Sequence, residues 1–367
     1  MKKKLAFSVI SLDECFPKKG FSGGGHKVTK KLIEGLIESK LFDIDIYCKK
    51  SSIEQMDGIN SITVLGKKTF KKDLREKLNA QNYDYALSSD ILIPFANNLI
   101  HSNSSKFKSK NGKNLFLQQI LKVFNAKKIK AQEKNMSYDK ATFTVSESLK
   151  NDYVQNYNLD ENKVFVCHPA VDANLDFVAP AKNPEFVIGS IVGGGLNKGG
   201  YLLLRALKKL PATCNTKARV IFPKIHKSNI FKAAVKFLRL ENKVEILPKQ
   251  ADMDAYYKSI DCYVLPSMNE AFGLVVTEAA SNSKPSLVSS TTGVRELIKD
   301  GDNGFVFVRE KNAVNNLAQK LQEVSNIYFN EHDKFTQIAK NAHEIPTILD
   351  WKKFTDIIIN NMIGEKS

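Results

Sequence analysis

The sequence predicts an α/β protein built from two doubly wound, Rossmann-like domains, and three observations point there. The chain has 367 residues, more than one hydrophobic core of about 250–300 residues accommodates, so two domains are expected. Continuous apolar runs alternate with segments of helical period, the pattern of parallel strands buried between helices. Each half also opens on an apolar run with a glycine-rich turn after it: Leu5–Leu12 ahead of Ser22-Gly23-Gly24-Gly25, and Phe186–Val192 before Gly193-Gly194-Gly195.

In the first half, Leu5–Leu12 reads as a buried strand because it is continuously apolar and does not alternate. Val28, Leu32, Ile33, Leu36 and Ile37 share one face of a helix ending near Glu38. Phe42–Cys48, Ser61–Leu65 and Tyr83–Ser88 read as strands, and Leu115–Lys134 as a long basic amphipathic helix. Ala141–Ser146 is a strand, Glu147–Asn158 a helix and Val164–Cys167 a strand. Val178–Glu185 carries Pro180 and Pro184 and is placed as the linker.

In the second half, Phe186–Val192 is a strand and Tyr201–Lys209 a helix. Ala218–Phe222, Val244–Leu247 and Cys262–Leu265 are strands with helices between them. Ala271–Ser281, Ser286–Ser289 and Val294–Ile298 continue the alternation, and Phe305–Val308 is the last strand. The domains are therefore expected at 1–178 and 186–345, with 346–367 a C-terminal helix packing back on the first domain.

Composition narrows the function classes. With 43% hydrophobic and 26% charged residues the chain is neither disordered nor a disulfide-rich module. A net charge of +16 favours anionic partners: nucleic acid, lipid headgroups or phosphorylated substrates. Cys15, Cys48, Cys167, Cys214 and Cys262 form no CxxC pair, so a reducing compartment fits and a zinc site does not. Lys2–Lys4 before an apolar run imitates a leader, but Asp13 and Glu14 end the run without a cleavage site, so it is read as a strand. His226, His332 and His343 show no spacing suited to a metal, so no metal is expected.

The richest stretch is Leu265-Pro-Ser-Met-Asn-Glu270-Ala-Phe-Gly-Leu-Val-Val-Thr-Glu278-Ala279. It follows a strand and opens a helix, where backbone N–H groups and the helix dipole attract anions. Ala271, Phe272, Gly273 and Leu274 would present those amides, and Gly273 lets a ligand approach the backbone. Glu270 and Glu278 can accept hydroxyl hydrogen bonds. A second motif, Ser190 to Gly200, offers Gly193 for phosphate approach and Lys198 as a point charge.

These residues resemble the signature of the family-4 retaining glycosyltransferases, glycosyl transferases group 1. Glu270 and Glu278 fall on the family's two glutamates, with seven residues between them, after Pro266-Ser267. The flanks Ser259–Ser267, Ser283-Lys-Pro-Ser and Gly293-Val-Arg-Glu-Leu-Ile-Lys-Asp-Gly-Asp-Asn-Gly304 resemble it too, as do Ser146–Tyr153 and Pro169–Asp172. The similarity runs from about Ser137 to Val308 and is specific in the second half; the first 130 residues match only in pattern.

The resemblance implies the GT-B architecture, two Rossmann-like domains facing a central cleft. It implies a nucleotide sugar donor bound mainly by the C-terminal domain and an acceptor bound mainly by the N-terminal one. It assigns Glu278 to the donor ribose, and Glu270 with residues 271–274 to the donor sugar and phosphates. Lys198-Gly199 matches the family's Lys-Gly, but glycine stands where the family carries an arginine soon after the strand; Arg219 and Lys224 are the candidate substitutes. Leu247, at the end of a strand, joins the donor-binding set. The family's glycine pair near the donor phosphates falls on Gly23, Gly24 and Gly25, with His26 beside them. Its histidine after the fourth N-terminal strand falls on His101. Glu270, Lys198 and His101 are thus the candidate catalytic residues.

Between Ile91 and Gln132 there are eight lysines and no acid, interleaved with Leu115, Phe116, Leu117, Ile120, Leu121, Val123 and Phe124. A basic amphipathic helix of this kind can lie on an anionic membrane. The function that the resemblance implies is transfer of a hexose, with retention, from a nucleotide sugar, by default a UDP-sugar. The acceptor is expected to be a glycan or lipid-linked acceptor in surface polysaccharide or lipopolysaccharide synthesis, with the 101–134 region touching the inner face of the cytoplasmic membrane. No cofactor is expected beyond the substrate, and the expected place is the cytoplasm. The alternatives are an epimerase acting on nucleotide sugars with the same architecture, and a nucleic-acid-binding protein. The second has no helix-turn-helix, zinc finger or RNA-reading aromatic motif to support it.

Overall fold

In the computed structural model, residues 2–17, 23–89, 92–103, 126–136, 139–174, 176–193, 196–211 and 213–364 are described. The chain divides into two compact units, residues 1–169 with 350–367, and residues 170–349.

The first unit is built on a seven-stranded parallel sheet. Its strands are β1 (Lys3–Ser11), β2 (Phe42–Lys50), β3 (Ser61–Val64), β4 (Tyr85–Ser89), β5 (Asn97–Ile100), β6 (Thr142–Thr144) and β7 (Val164–Val166), in the order β3-β2-β1-β4-β5-β6-β7. Leu5, Phe7 and Val9 on β1 are wholly buried, as a central parallel strand covered on both faces requires. Its helices are α1 (Leu12–Cys15), α2 (Gly24–Glu38), α3 (Phe70–Gln81) and α4 (Glu147–Tyr157). α2 buries Val28, Leu32, Ile33 and Leu36, the face that the sequence pattern marked. Of the expected helix over 115–134, residues 126–135 are helical, and residues 115–125 lie outside the described residues.

The second unit has a six-stranded parallel sheet: β8 (Phe186–Ile191), β9 (Thr216–Ile221), β10 (Val244–Leu247), β11 (Cys262–Leu265), β12 (Ser286–Ser289) and β13 (Phe305–Phe307), in the order β10-β9-β8-β11-β12-β13. Phe186, Ile188, Val220, Val264, Leu287 and Phe305 form its core with α5 (Gly200–Lys209), α6 (Asn229–Phe237), α9 (Ala313–Asn330) and α10 (His332–His343). α7 (Met253–Lys258) and α8 (Leu274–Ser281) complete the unit. The last helix of the chain, α11 (Trp351–Ile363), returns to the first unit, capped by Asp350 and packed on α2 where Gly35 faces Thr355.

Four expectations are corrected. The boundary lies at Pro169, ahead of the proline-rich stretch. Residues 174–183 are tied to the second unit: Asn174 N donates to Ser281 Oγ at 2.7 Å, Val178 N to Ser283 Oγ at 3.0 Å and Asn183 N to Tyr328 OH at 2.9 Å. The second unit likewise extends to Leu349, because Ile345 and Pro346 are buried in a 3-10 turn before Asp350. The helix expected from Ala271 starts at Leu274, because Gly273 is left-handed with φ 117°. Val294–Ile298 is a 3-10 turn over Gly293–Leu297, too short to span the sheet.

Candidate active-site residues

In the second unit the order of strands reverses between β8 and β11, which are neighbours although β9 and β10 separate them in sequence. Such a switch point opens a crevice at the C-terminal ends of the strands, where α/β domains bind ligands. The loops after β8 and β11 carry the two strongest sequence motifs. Lys198 ends a 3-10 turn over Leu196–Lys198. Its Nζ donates to Glu270 Oε2 at 2.6 Å, and Ser267 Oγ reaches the same oxygen at 3.4 Å.

Main-chain bonds hold Glu270 in that pose. Met268 N donates to the Asn197 carbonyl at 2.7 Å, joining the two loops. Gly293 N donates to the Glu270 carbonyl at 2.9 Å and Val294 N to the Phe272 carbonyl at 2.8 Å, tying in the loop after β12. Thr291 Oγ1 donates to the Met268 carbonyl at 2.6 Å. The Glu270 carboxylate is only partly buried, so a rigid backbone presents it toward solvent beside an ammonium.

Gly273, with φ 117°, starts α8. The first amides of a helix have no intrahelical acceptor and carry the positive end of its dipole. Ala271 is partly exposed; Phe272 and Leu274 are buried, so their backbone rather than their side chains can serve a ligand. Glu278 lies inside α8 and accepts from Tyr257 OH at 3.0 Å. Burial first, and then the neighbouring carboxylate, push the Tyr257 phenol well above its ordinary pKa, so it remains a donor. No sequence signal marked Tyr257, which reaches Glu278 from a separate helix.

The structure separates the two candidates for the missing arginine. Arg219 is spent within the fold: Nε donates to Glu245 Oε2 at 3.0 Å, its register neighbour on β10, and Nη1 to the Ser259 carbonyl at 2.7 Å. Lys224 follows β9 on the side of the C-terminal strand ends, exposed, and its ammonium has no partner among the described residues. Leu247 closes β10 at the same edge, and its carbonyl accepts from Phe222 N at 2.8 Å. A Cβ on Gly193 would meet nothing within 4 Å, so that turn leaves open space beside the crevice.

In the first unit the switch point is between β1 and β4. Gly23 caps α2, and Gly24 and Gly25 form its first turn, which contains no acid. Ser22 lies outside the described residues. His101 follows β5, the fifth strand and not the fourth, because Asn97–Ile100 pairs as a strand of its own between β4 and β6. Its ring stands against Gly25: a Cβ there would lie 2.7 Å from both Nδ1 and Cε1. Ser89 Oγ lies 3.5 Å from His101 Nε2 and 2.7 Å from Thr29 Oγ1. The fold thus brings together Gly25 and His101, both named from sequence. His26 turns instead to Glu14, 3.0 Å away.

Gly25→Ala separates a structural glycine from one that makes room for a ring. Alanine favours a helix over glycine by about 1 kcal/mol, so on propensity alone the variant should melt higher. The expected result is a displaced His101 imidazole, read as a changed ring NMR signal, with roughly tenfold lower turnover. An unshifted signal and full turnover would refute the contact.

Residues 173–342 match the family model described as glycosyl transferases group 1. An uncharacterised glycosyltransferase of Methanocaldococcus jannaschii is 26% identical over 213 residues, 57% of this chain and 55% of the relative. The chain thus spans about half the length of the curated relatives it matches. Among solved structures, WaaG, a glycosyltransferase involved in lipopolysaccharide biosynthesis, superposes with a TM-score of 0.75 at 14% identity, over 98% of this chain and 100% of that one. HepE of Anabaena, in complex with UDP and glucose, gives 0.68 at 16%, over 98% of each chain. The likeness to these structures shows that the fold is GT-B, and the resemblance to group 1 is carried by the second unit.

Proposed function

We propose, on the premise that residues 173–342 form a glycosyl transferases group 1 domain, that this protein transfers a hexose with retention from a nucleotide sugar to a glycan or lipid-linked acceptor. The observation that carries the reading is the Lys198–Glu270 pair at the β8/β11 switch point, beside the glycine-started helix α8. The donor binds the second unit. Glu278, oriented by Tyr257, accepts the ribose hydroxyls, and Glu270 with the 271–274 backbone receives the sugar and phosphates. UDP is the expected nucleotide, as in the HepE complex.

Breaking the sugar–phosphate bond places charge on the leaving diphosphate and leaves the sugar with oxocarbenium character. Donors held ready for that charge are the main electrostatic contribution available to the site. Lys198, Lys224 and the amides at the start of α8 provide it, so the reading assigns no step to a metal ion. The first unit binds the acceptor, with His101 and the Gly23–Gly25 turn at its switch point. Surface polysaccharide or lipopolysaccharide synthesis at the inner face of the cytoplasmic membrane is the setting we infer. WaaG's stated role and the chain's positive charge support it. No helix among the described residues is long and apolar enough to cross a membrane. Most of the basic 101–134 region proposed to touch the membrane, residues 104–125, lies outside the described residues.

Thermal melting with UDP, GDP, ADP and their sugars tests the donor assignment. A ligand at 100 times its Kd stabilises the folded state by about 2.7 kcal/mol. One nucleotide should raise Tm in the wild type and fail to do so in Glu278→Ala. An equal rise in both proteins would remove Glu278 from the site, and no rise with any nucleotide would overturn the reading.

A further inference from the structure

The first unit contains a cavity of about 570 Å³ that the donor chemistry leaves unused. That is within the roughly 300–1,000 Å³ of small-molecule sites. Its lining includes the apolar Ile10, Leu92 and Leu99 and the basic Lys49, Lys71 and Lys128. The lysines come from three separate elements: β2, the first turn of α3, and the helix at 126–135. His101 lines the same cavity, so the ring that stands against Gly25 borders it.

Among the described residues none of the three has a carboxylate within ion-pair distance; the lining carboxylate, Glu14, is engaged by His26 at 3.0 Å. Lys49 Nζ sits over the Phe70 ring, 5.2 Å from its centroid. Lys71 Nζ donates to the Leu92 carbonyl at 2.6 Å, one bond for three protons. Asp73, the acid in the first turn of α3, accepts from Thr69 Oγ1 at 2.6 Å. A lysine in the first turn of a helix also opposes the helix dipole. Burial, and then the charges of Lys49 and Lys134, pull the Lys71 ammonium down to about 8. Gathering like charges around a partly apolar cavity costs free energy, and an anion in the cavity offsets that cost.

We propose that this cavity binds the phosphate group of a phosphate-bearing acceptor, with Lys71, Lys49 and Lys128 on the phosphate and the apolar lining residues on the rest of the molecule. The proposal deepens the reading of the first unit as the acceptor-binding half and rests on it. The shared chemistry is a phosphate ester or diphosphate, on a sugar or on the headgroup of an isoprenoid carrier. Either would be seated next to His101.

Isothermal titration of the full chain with inorganic pyrophosphate, glucose 6-phosphate and farnesyl diphosphate tests it. Wild type should bind pyrophosphate saturably, and Lys71→Met should weaken that binding at least tenfold. Lys128→Glu, a charge reversal on an exposed helical residue, should weaken it similarly without touching the core. Lys236→Ala, an exposed lysine of the other unit that lies outside the donor set, should leave it unchanged. Below pH 8 the folded state carries the cost of charging a buried Lys71, so Lys71→Met should not lower Tm at pH 7. Tighter binding of farnesyl diphosphate than of pyrophosphate would assign a lipid carrier, and tighter binding of glucose 6-phosphate a phosphosugar. No saturable binding, binding kept in Lys71→Met and Lys128→Glu, or binding lost in Lys236→Ala would overturn the proposal. The nucleotide melting test with Glu278→Ala is independent of these lysines, so either result can fail while the other stands.

Discussion

Lys198→Ala is expected to lower kcat by about 10²–10³-fold, the range found when one preorganised donor to a developing charge is removed. The ammonium is 2.6 Å from Glu270 and about half exposed. A salt bridge with that exposure adds little to stability, of the order of 0–1 kcal/mol, so the variant should fold and melt close to wild type. The loss should then appear in turnover and not in acceptor KM, because charge on the leaving phosphate is larger in the transition state than in the bound donor. Lys198→Arg keeps the charge but alters its shape and reach, and should recover only part of the rate. Steady-state kinetics with the nucleotide sugar identified by melting measures this. Turnover within twofold of wild type would show that Lys198 does not meet the leaving group.

The second large effect is on folding. Gly199→Ala is expected to cost about 3 kcal/mol or more, the size of severe single substitutions. Two independent reasons combine. Gly199 has φ 70° and ψ 13°, a left-handed conformation that costs a residue with a Cβ roughly 1–2 kcal/mol. A Cβ there would also overlap the carbonyl oxygen of Pro266, which is backbone and cannot rotate aside. Relief requires moving the loop after β11, and that loop carries Ser267 and Glu270. The variant should therefore lose thermal stability and nucleotide-induced stabilisation together. Gly193→Ala is the control for melting, since its Cβ would enter open space. A Tm for Gly199→Ala within 2 °C of that for Gly193→Ala would refute the argument.

The second unit's site was the most legible part of the sequence, because its residues are close in the chain and held by local geometry. Pro266-Ser267 after a strand, a glycine at a left-handed helix start and two glutamates with seven residues between them occupy one short stretch, and the strand and helix around them follow from apolar pattern. Arg219 and Lys224 could not be ranked from sequence. The choice depends on Glu245, a cross-strand neighbour 26 residues away that only the β9/β10 register supplies. The partners of Glu278 and His101 were hidden for the same reason: Tyr257 and Ser89 lie on other elements and carry no motif. The linker was misplaced because Pro180 and Pro184 mark a break in regular structure, and say nothing of which unit the segment's amides bond to.

The sequence by itself determined two parallel α/β units, glycine turns after the first strand of each, and a carboxylate and lysine set of a known kind. Those features follow from hydrophobic period and backbone permissiveness, which act between near neighbours. Only the tertiary structure decided that Lys198 meets Glu270, that Arg219 is consumed by Glu245, and that Lys49, Lys71 and Lys128 surround one cavity. Parallel sheets set strands distant in sequence side by side, so which side chains share a crevice is fixed by strand order and register. A charge cluster drawn from three elements leaves no spacing in the chain to be read.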